Sequence, residues 1–167
     1  MALRVRTKEE QTQASETAKM VKELEVAIAC FTGSASLEKI LESKEEYIVY
    51  MYVFSDDKVY IGRSKTSVDR FGNIESYKGQ YVYKIMKEQG IKEKYILYKT
   101  KNIFIAYFYE WYLIQLYYEK SYNAALEDDW LQKALWEISK DKKLKIVHLW
   151  MILSDAVSQI LEFVDKI

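Results

Sequence analysis

The chain has 167 residues, half of them hydrophobic and 30% charged, which fits one soluble globular domain, or a small domain with helical additions, long enough to bury a core. Its 25 basic and 25 acidic side chains cancel, so the chain as a whole lacks the basic balance of a dedicated nucleic-acid binder. A single cysteine, Cys30, excludes an internal disulfide and a Cys-based zinc site and suits a reducing, cytoplasmic setting.

In chain order, Met20, Leu24, Ala27, Ile28 and Phe31 recur at helical spacing, with Gly33 as a stop. Ser34 or Ser36 could cap a second short helix running to about Ser43. Residues 47–54, YIVYMYVF, are β-branched and aromatic and read as a strand. Ser55, Asp56 and Asp57 signal a turn, and KVYIGR returns as the second strand of a hairpin. A short helix is expected over 67–74, a longer one over 80–89 ending at Gly90, and a third strand over 95–99. Residues 103–119 form a strongly apolar helix, and two further helices are expected over 126–139 and 144–165. The opening residues have no apolar stretch of signal-peptide length. The apolar run near 103–118 is interrupted by Glu110 and Gln115 and is shorter than the roughly 20 residues that span a bilayer, so no membrane partner is expected.

The charge is unevenly distributed. Residues 1–46 carry 7 basic and 9 acidic side chains, net −2; residues 47–123 carry 12 and 8, net +4; residues 124–167 carry 6 and 8, net −2. Positive charge is thus concentrated in the middle segment, where it can steer a polyanion. Lys78, Lys84, Lys87, Lys92 and Lys94 are candidates for a phosphate-contacting surface, with a plain solvated face as the alternative for each.

Glu110 stands out because its helical neighbours Ala106, Tyr107, Leu113, Ile114 and Tyr117 are largely hydrophobic. A carboxylate on such a stripe needs a cation, a metal or a set of hydrogen bonds, unless it points to solvent or pairs with an arginine. On the hairpin, a three-residue turn at 55–57 would pair Val53 with Val59 and Tyr52 with Tyr60, set Tyr50 opposite Gly62, and turn Tyr50 and Tyr60 to the same side. A two-residue turn would separate them. Gly62 inside a strand suggests close approach by another group. Arg63 and Arg70 follow three and ten residues after Tyr60, and a guanidinium can clamp a phosphate oxygen pair. The single histidine, His148, reads as an ordinary core or surface side chain.

Together, Ile48-Val49-Tyr50, Tyr60-Ile61-Gly62, Arg70, Glu110 and Asn123 resemble, in order and spacing, the signature of the GIY-YIG nuclease superfamily. The resemblance covers residues 47–123, about half the chain, and Arg63 matches a position where the repair branch often has Lys. Two departures stand out. Ile48 replaces the first Gly, and Ile74 stands where a His or Tyr often follows the Arg, with Tyr77 as a candidate substitute.

What the resemblance implies is an α/β (α+β) fold: a small antiparallel three-stranded sheet flanked by helices over 47–123, with helical extensions at 1–46 and 124–167. It implies a hydrolase, a DNA endonuclease using one divalent metal ion, Mg²⁺ or Mn²⁺, held by Glu110. Tyr60 would be the general base with Tyr50 beside it, Arg63 would lower the Tyr60 pKa, Arg70 would stabilise the transition-state phosphate, and Asn123 would brace the site. Tyr77, Lys78, Lys84 and Lys87 would contact nucleic acid. Lacking a long linker, added DNA-binding modules or zinc cysteines, the chain best fits a small restriction- or phage-type enzyme acting on DNA, with RNA as the other substrate to consider. The alternative is a catalytically silent nucleic-acid- or protein-binding module on the same fold. The stripes Trp130, Leu131, Leu135, Ile138 and Val147, Trp150, Met151, Leu161 would serve as internal core or as a homodimer surface.

Overall fold

The structure, a computed structural model, describes residues 39–123 and 129–149. The helix expected over 20–31, and the one over 144–165 beyond residue 149, lie outside the described residues. The chain forms strand β1 (Glu42–Val53), strand β2 (Val59–Lys65), a 3-10 turn (Ile74–Tyr77), helix α1 (Tyr81–Gln89), strand β3 (Glu93–Asn102), helix α2 (Ile103–Leu116), a second 3-10 turn (Tyr118–Lys120) and helix α3 (Trp130–Lys142). The strands make one antiparallel sheet in the order β2-β1-β3. The fold is therefore mixed α/β with a small three-stranded sheet.

The hairpin closes through a three-residue turn. Asp57 donates its N–H to the Phe54 carbonyl at 3.0 Å, Phe54 donates to the Lys58 carbonyl at 2.9 Å, and Asp57 adopts a left-handed φ of 67°. Asp tolerates that conformation better than most residues. The turn sets Tyr52 opposite Tyr60 and Tyr50 opposite Gly62.

Alternation along β1 then divides the core. Tyr47, Val49, Met51 and Val53 face α2 and α3; Ile48, Tyr50, Tyr52 and Phe54 face α1 and the Tyr77 turn. Residues 47–54 are all buried, which explains why this strand reads as a continuous apolar run. Helix α2 is buried from Ile103 to Tyr109, as expected of a helix apolar on nearly every side. Asn102 caps it, its side chain accepting from the Ile105 N–H at 3.1 Å. Trp130 of α3 packs its ring 5.2 Å from Phe104, 5.6 Å from Phe108 and 5.7 Å from Trp111, so Trp130, Leu135 and Ile138 belong to this core, with Leu131 partly buried beside it.

Several elements differ from the sequence expectation. Strand β1 begins at Glu42 and β3 spans 93–102, because pairing with neighbours, not side-chain pattern, holds their polar ends extended. The helix expected over 67–74 does not form. Gly72 sits at φ +77° and donates its N–H to the Tyr52 hydroxyl at 2.7 Å, which interrupts a right-handed helix and leaves linked turns followed by the 3-10 turn. The expected helix over 80–89 forms as α1 and stops where Gly90 takes φ 70° and donates to the Met86 carbonyl. His148 is exposed, on a helical segment over 146–149. Among the described residues no helix is long and apolar enough to cross a membrane.

A Cβ at position 62 would overlap the Tyr50 ring, which is fully buried and held by neighbours, so the ring cannot swing aside. Gly62→Ala is expected to destabilise the fold by about 1–3 kcal/mol, measurable as a lowered urea midpoint with an unchanged slope.

Candidate active site

Four phenols gather on the α1 side of the sheet. Tyr50 and Tyr52 come from β1, Tyr60 from β2 and Tyr77 from the 3-10 turn. Tyr77 hydrogen-bonds the hydroxyl of Tyr50, and that of Tyr52 at 2.8 Å. The Tyr60 ring lies 6.1 Å from Tyr52, nearly parallel, and 5.8 Å from Tyr77, edge-on. Arg70, from the turn after β2, lays its guanidinium 4.5 Å from the centre of the Tyr77 ring and donates to the Ser76 carbonyl at 3.4 Å.

This cluster is electrostatically tense. Burial pushes the Tyr60 phenol up to about 12, the Glu110 carboxylate adds to that rise, and Arg70 opposes it by charge and hydrogen bonding. Burial likewise pushes Tyr50, Tyr52 and Tyr77 upward. Burial works against the Arg70 cation, yet a hydrogen bond and charge from Tyr50, with the charges of Tyr77 and Tyr60, hold its pKa above the ordinary value. Arg70 is therefore a fixed positive charge against a set of protonated phenols.

Arg63 stands elsewhere. Tyr60 and Arg63 are an odd number of residues apart on one strand, so they leave it on opposite faces. Arg63 lies flat on the Tyr107 ring at 3.6 Å, with its Nε 3.6 Å from Glu110 Oε1. The cation acting on Tyr60 is Arg70, not Arg63, and the Tyr60 phenol is raised, not lowered, which corrects the role expected for Arg63. Glu110 sits on α2, across the sheet from the phenols. From that opposite side its carboxylate adds to the rise of the Tyr60 phenol.

The Glu110 side chain is 14% exposed. Mg²⁺ keeps most of its water and is bound by one or two carboxylates, so one carboxylate at a partly open edge fits that donor chemistry, with Arg63 as the competing cation. Among the described residues no group of three or more His, Cys, Asp or Glu gathers that could hold a metal ion.

Asn123 acts on the backbone. Its Oδ1 accepts from the Ile61 N–H at 3.0 Å and its Nδ2 donates to the Ile61 carbonyl at 2.8 Å, while Tyr122 N–H donates to the Val59 carbonyl at 2.8 Å. The segment thus covers the open edge of β2 and holds the backbone between Tyr60 and Gly62.

The expected nucleic-acid contacts divide. Tyr77 is 0% exposed, locked among the phenols, so it belongs to the cluster and not to a contact surface. Lys87 pairs with Glu75 at 2.7 Å and Lys84 with Glu88 at 3.9 Å, which offsets their charge; Lys78 is exposed next to them. Tyr52 escaped the sequence reading, although it shares parity with Tyr50 and lies opposite Tyr60 once the turn length is known.

Each raised phenol favours folding in its neutral form. That contribution is complete below the ordinary tyrosine value near 10 and is lost as pH rises through the folded value of about 12 for Tyr60. Near-ultraviolet titration should therefore show the cluster ionising only above the ordinary tyrosine value, with stability falling as it does. Full ionisation near pH 10 without unfolding would contradict the packing described. No family model, curated protein or solved structure matches this chain.

Proposed function

We propose that this protein is a metal-dependent endonuclease of the GIY-YIG kind, hydrolysing phosphodiester bonds in DNA. The observation that carries the proposal is geometric: Tyr60 and Arg70 both pack against Tyr77 on one face of the hairpin, while Glu110 stands on α2 beyond the opposite face, beside Arg63. A phenol, a guanidinium and a carboxylate are the kinds of group that in-line attack of water on a phosphate diester uses. The gathering of Tyr50, Tyr60 and Arg70, with Asn123 clamped to Ile61, supports the same reading. Tyr77 supports it too, since its ring packs against Arg70, as a substitute for the side chain missing at Ile74 would.

In this mechanism Tyr60 accepts the proton of the attacking water, and Tyr50 and Tyr77 hold the phenols in place. Arg70 binds a non-bridging phosphate oxygen and stabilises the charge that develops on it. Asn123 keeps the Tyr60–Gly62 backbone from shifting. With a folded value of about 12, Tyr60 is almost wholly protonated at neutral pH and needs an added positive charge to act as a base. Glu110 would hold a divalent ion, which when bound would add positive charge, neutralise the phosphate and stabilise the leaving oxygen.

The Arg63–Glu110 pair favours a second reading, in which the carboxylate is already neutralised and the fold only binds nucleic acid or protein. Plasmid nicking with Mg²⁺ or Mn²⁺ separates the two. Wild type should cleave with either metal and not in EDTA, while Glu110→Ala, Tyr60→Phe and Arg70→Ala should each lose about 10²-fold or more. A wild type inert on supercoiled, linear and single-stranded DNA would leave the binding module. If cleavage occurs, its rate should climb as pH is raised from neutral, because the phenolate fraction of Tyr60 grows. The Tyr60→Phe residual rate should not follow that climb.

A further inference from the structure

A groove of about 440 Å³ opens beside Arg70, on the phenol side of the sheet. Its apolar walls are Ile48, Phe71 and Ile96. Arg70 and Lys99 supply cations; Lys65 also lines the groove, but its ammonium lies over the Tyr47 ring on the opposite face of the sheet, and of the lining residues only Asp69 is acidic. Lys65 shares its charge with Glu45 at 3.4 Å, and Asp69 is engaged by the Asn73 side-chain amide at 3.3 Å. Lys99 is exposed and pairs across the sheet with Ile48, so cation and apolar wall lie side by side. Val68, in the same lining, is 53% exposed for no packing reason within the described residues.

We infer that this groove binds one unpaired nucleotide of the substrate strand, next to the phosphate that Arg70 holds, so that the protein selects single-stranded or locally opened nucleic acid. The inference rests on the nuclease reading and adds the substrate class. The volume lies at the small end of the ~300–1,000 Å³ typical of small-molecule sites, which suits a base with its sugar and not a duplex. A base inside a duplex offers its edges only, because its flat faces are stacked. An apolar wall can therefore receive a base only after it leaves the stack. Cations beside apolar walls are the chemistry that tracks a single strand: phosphates on the charges, bases on the apolar surface. Arg70 belongs to both the groove and the phenol cluster, so a base seated in the groove brings its neighbouring phosphate to the guanidinium.

The test is fluorescence anisotropy in EDTA, with a labelled single-stranded oligonucleotide and a labelled hairpin duplex of the same sequence, alongside the cleavage assay in metal. Wild type should bind the single strand about fivefold or more tightly than the duplex. Lys99→Glu and Val68→Asp, both at exposed positions, should each weaken single-strand binding about fivefold while leaving duplex binding and the thermal melt unchanged. Equal affinity for the two probes, no affinity for either, or single-strand binding unaltered in both variants would overturn the inference. The two proposals fail separately. Single-strand preference in a protein that never cleaves keeps the groove and removes the nuclease. Cleavage by a protein whose two variants bind the single strand normally does the reverse.

Discussion

Asp57 in the left-handed region closes the hairpin over three residues, and the sharing of side chains between the two faces of the sheet follows from that closure. One residue fewer in the turn would carry Tyr60 to the α2 face while leaving Tyr50 where it is. Gly62 then lets the Tyr50 ring lie across β2, because any side chain there would occupy the ring's volume. The four-phenol cluster is thus held first by backbone geometry and only second by the hydrogen bonds among its hydroxyls.

The sheet separates the charged groups into two sets, one on each face. Tyr50, Tyr52, Tyr60 and Tyr77 with Arg70 lie on one side; Arg63, Tyr107 and Glu110 lie on the other. Glu110, on the opposite face, still adds to the rise of the Tyr60 phenol. Covering the open edge of β2 with Tyr122 and Asn123 satisfies its backbone and keeps it from pairing with another chain.

Arg63 and the lysines show how tertiary contacts reassign charge. Arg63 is close to Tyr60 in sequence, yet strand alternation sends it to Glu110 and the Tyr107 ring. Lys84 and Lys87, selected from the basic middle segment, meet Glu88 and Glu75, while Lys65 and Lys99, which no motif marked, line the groove beside Arg70. A count of basic residues measures charge but not which acids will stand next to it.

Strand and helix identity in the central segment was legible from local chemistry. The β-branched and aromatic run of 47–54, the polar turn, the strand at 95–99 and the apolar helix from Ile103 all carry their cause in adjacent residues. The same-side placement of Tyr50 and Tyr60 was legible up to one choice, the length of the turn, since period-two alternation does the rest. What only the tertiary structure decided were matters of distance between segments remote in the chain: that Tyr77 fills the cluster, that Arg70 and not Arg63 is the cation beside Tyr60, that Glu110 meets Arg63 on the opposite face, and that Asn123 grips Ile61. The failed helix at 67–74 belongs to the same class, because Tyr52, some 20 residues away, takes the Gly72 N–H. Sequence patterns report a residue's relation to its neighbours in the chain, whereas burial, Coulomb energy and hydrogen-bond pairing depend on neighbours in space.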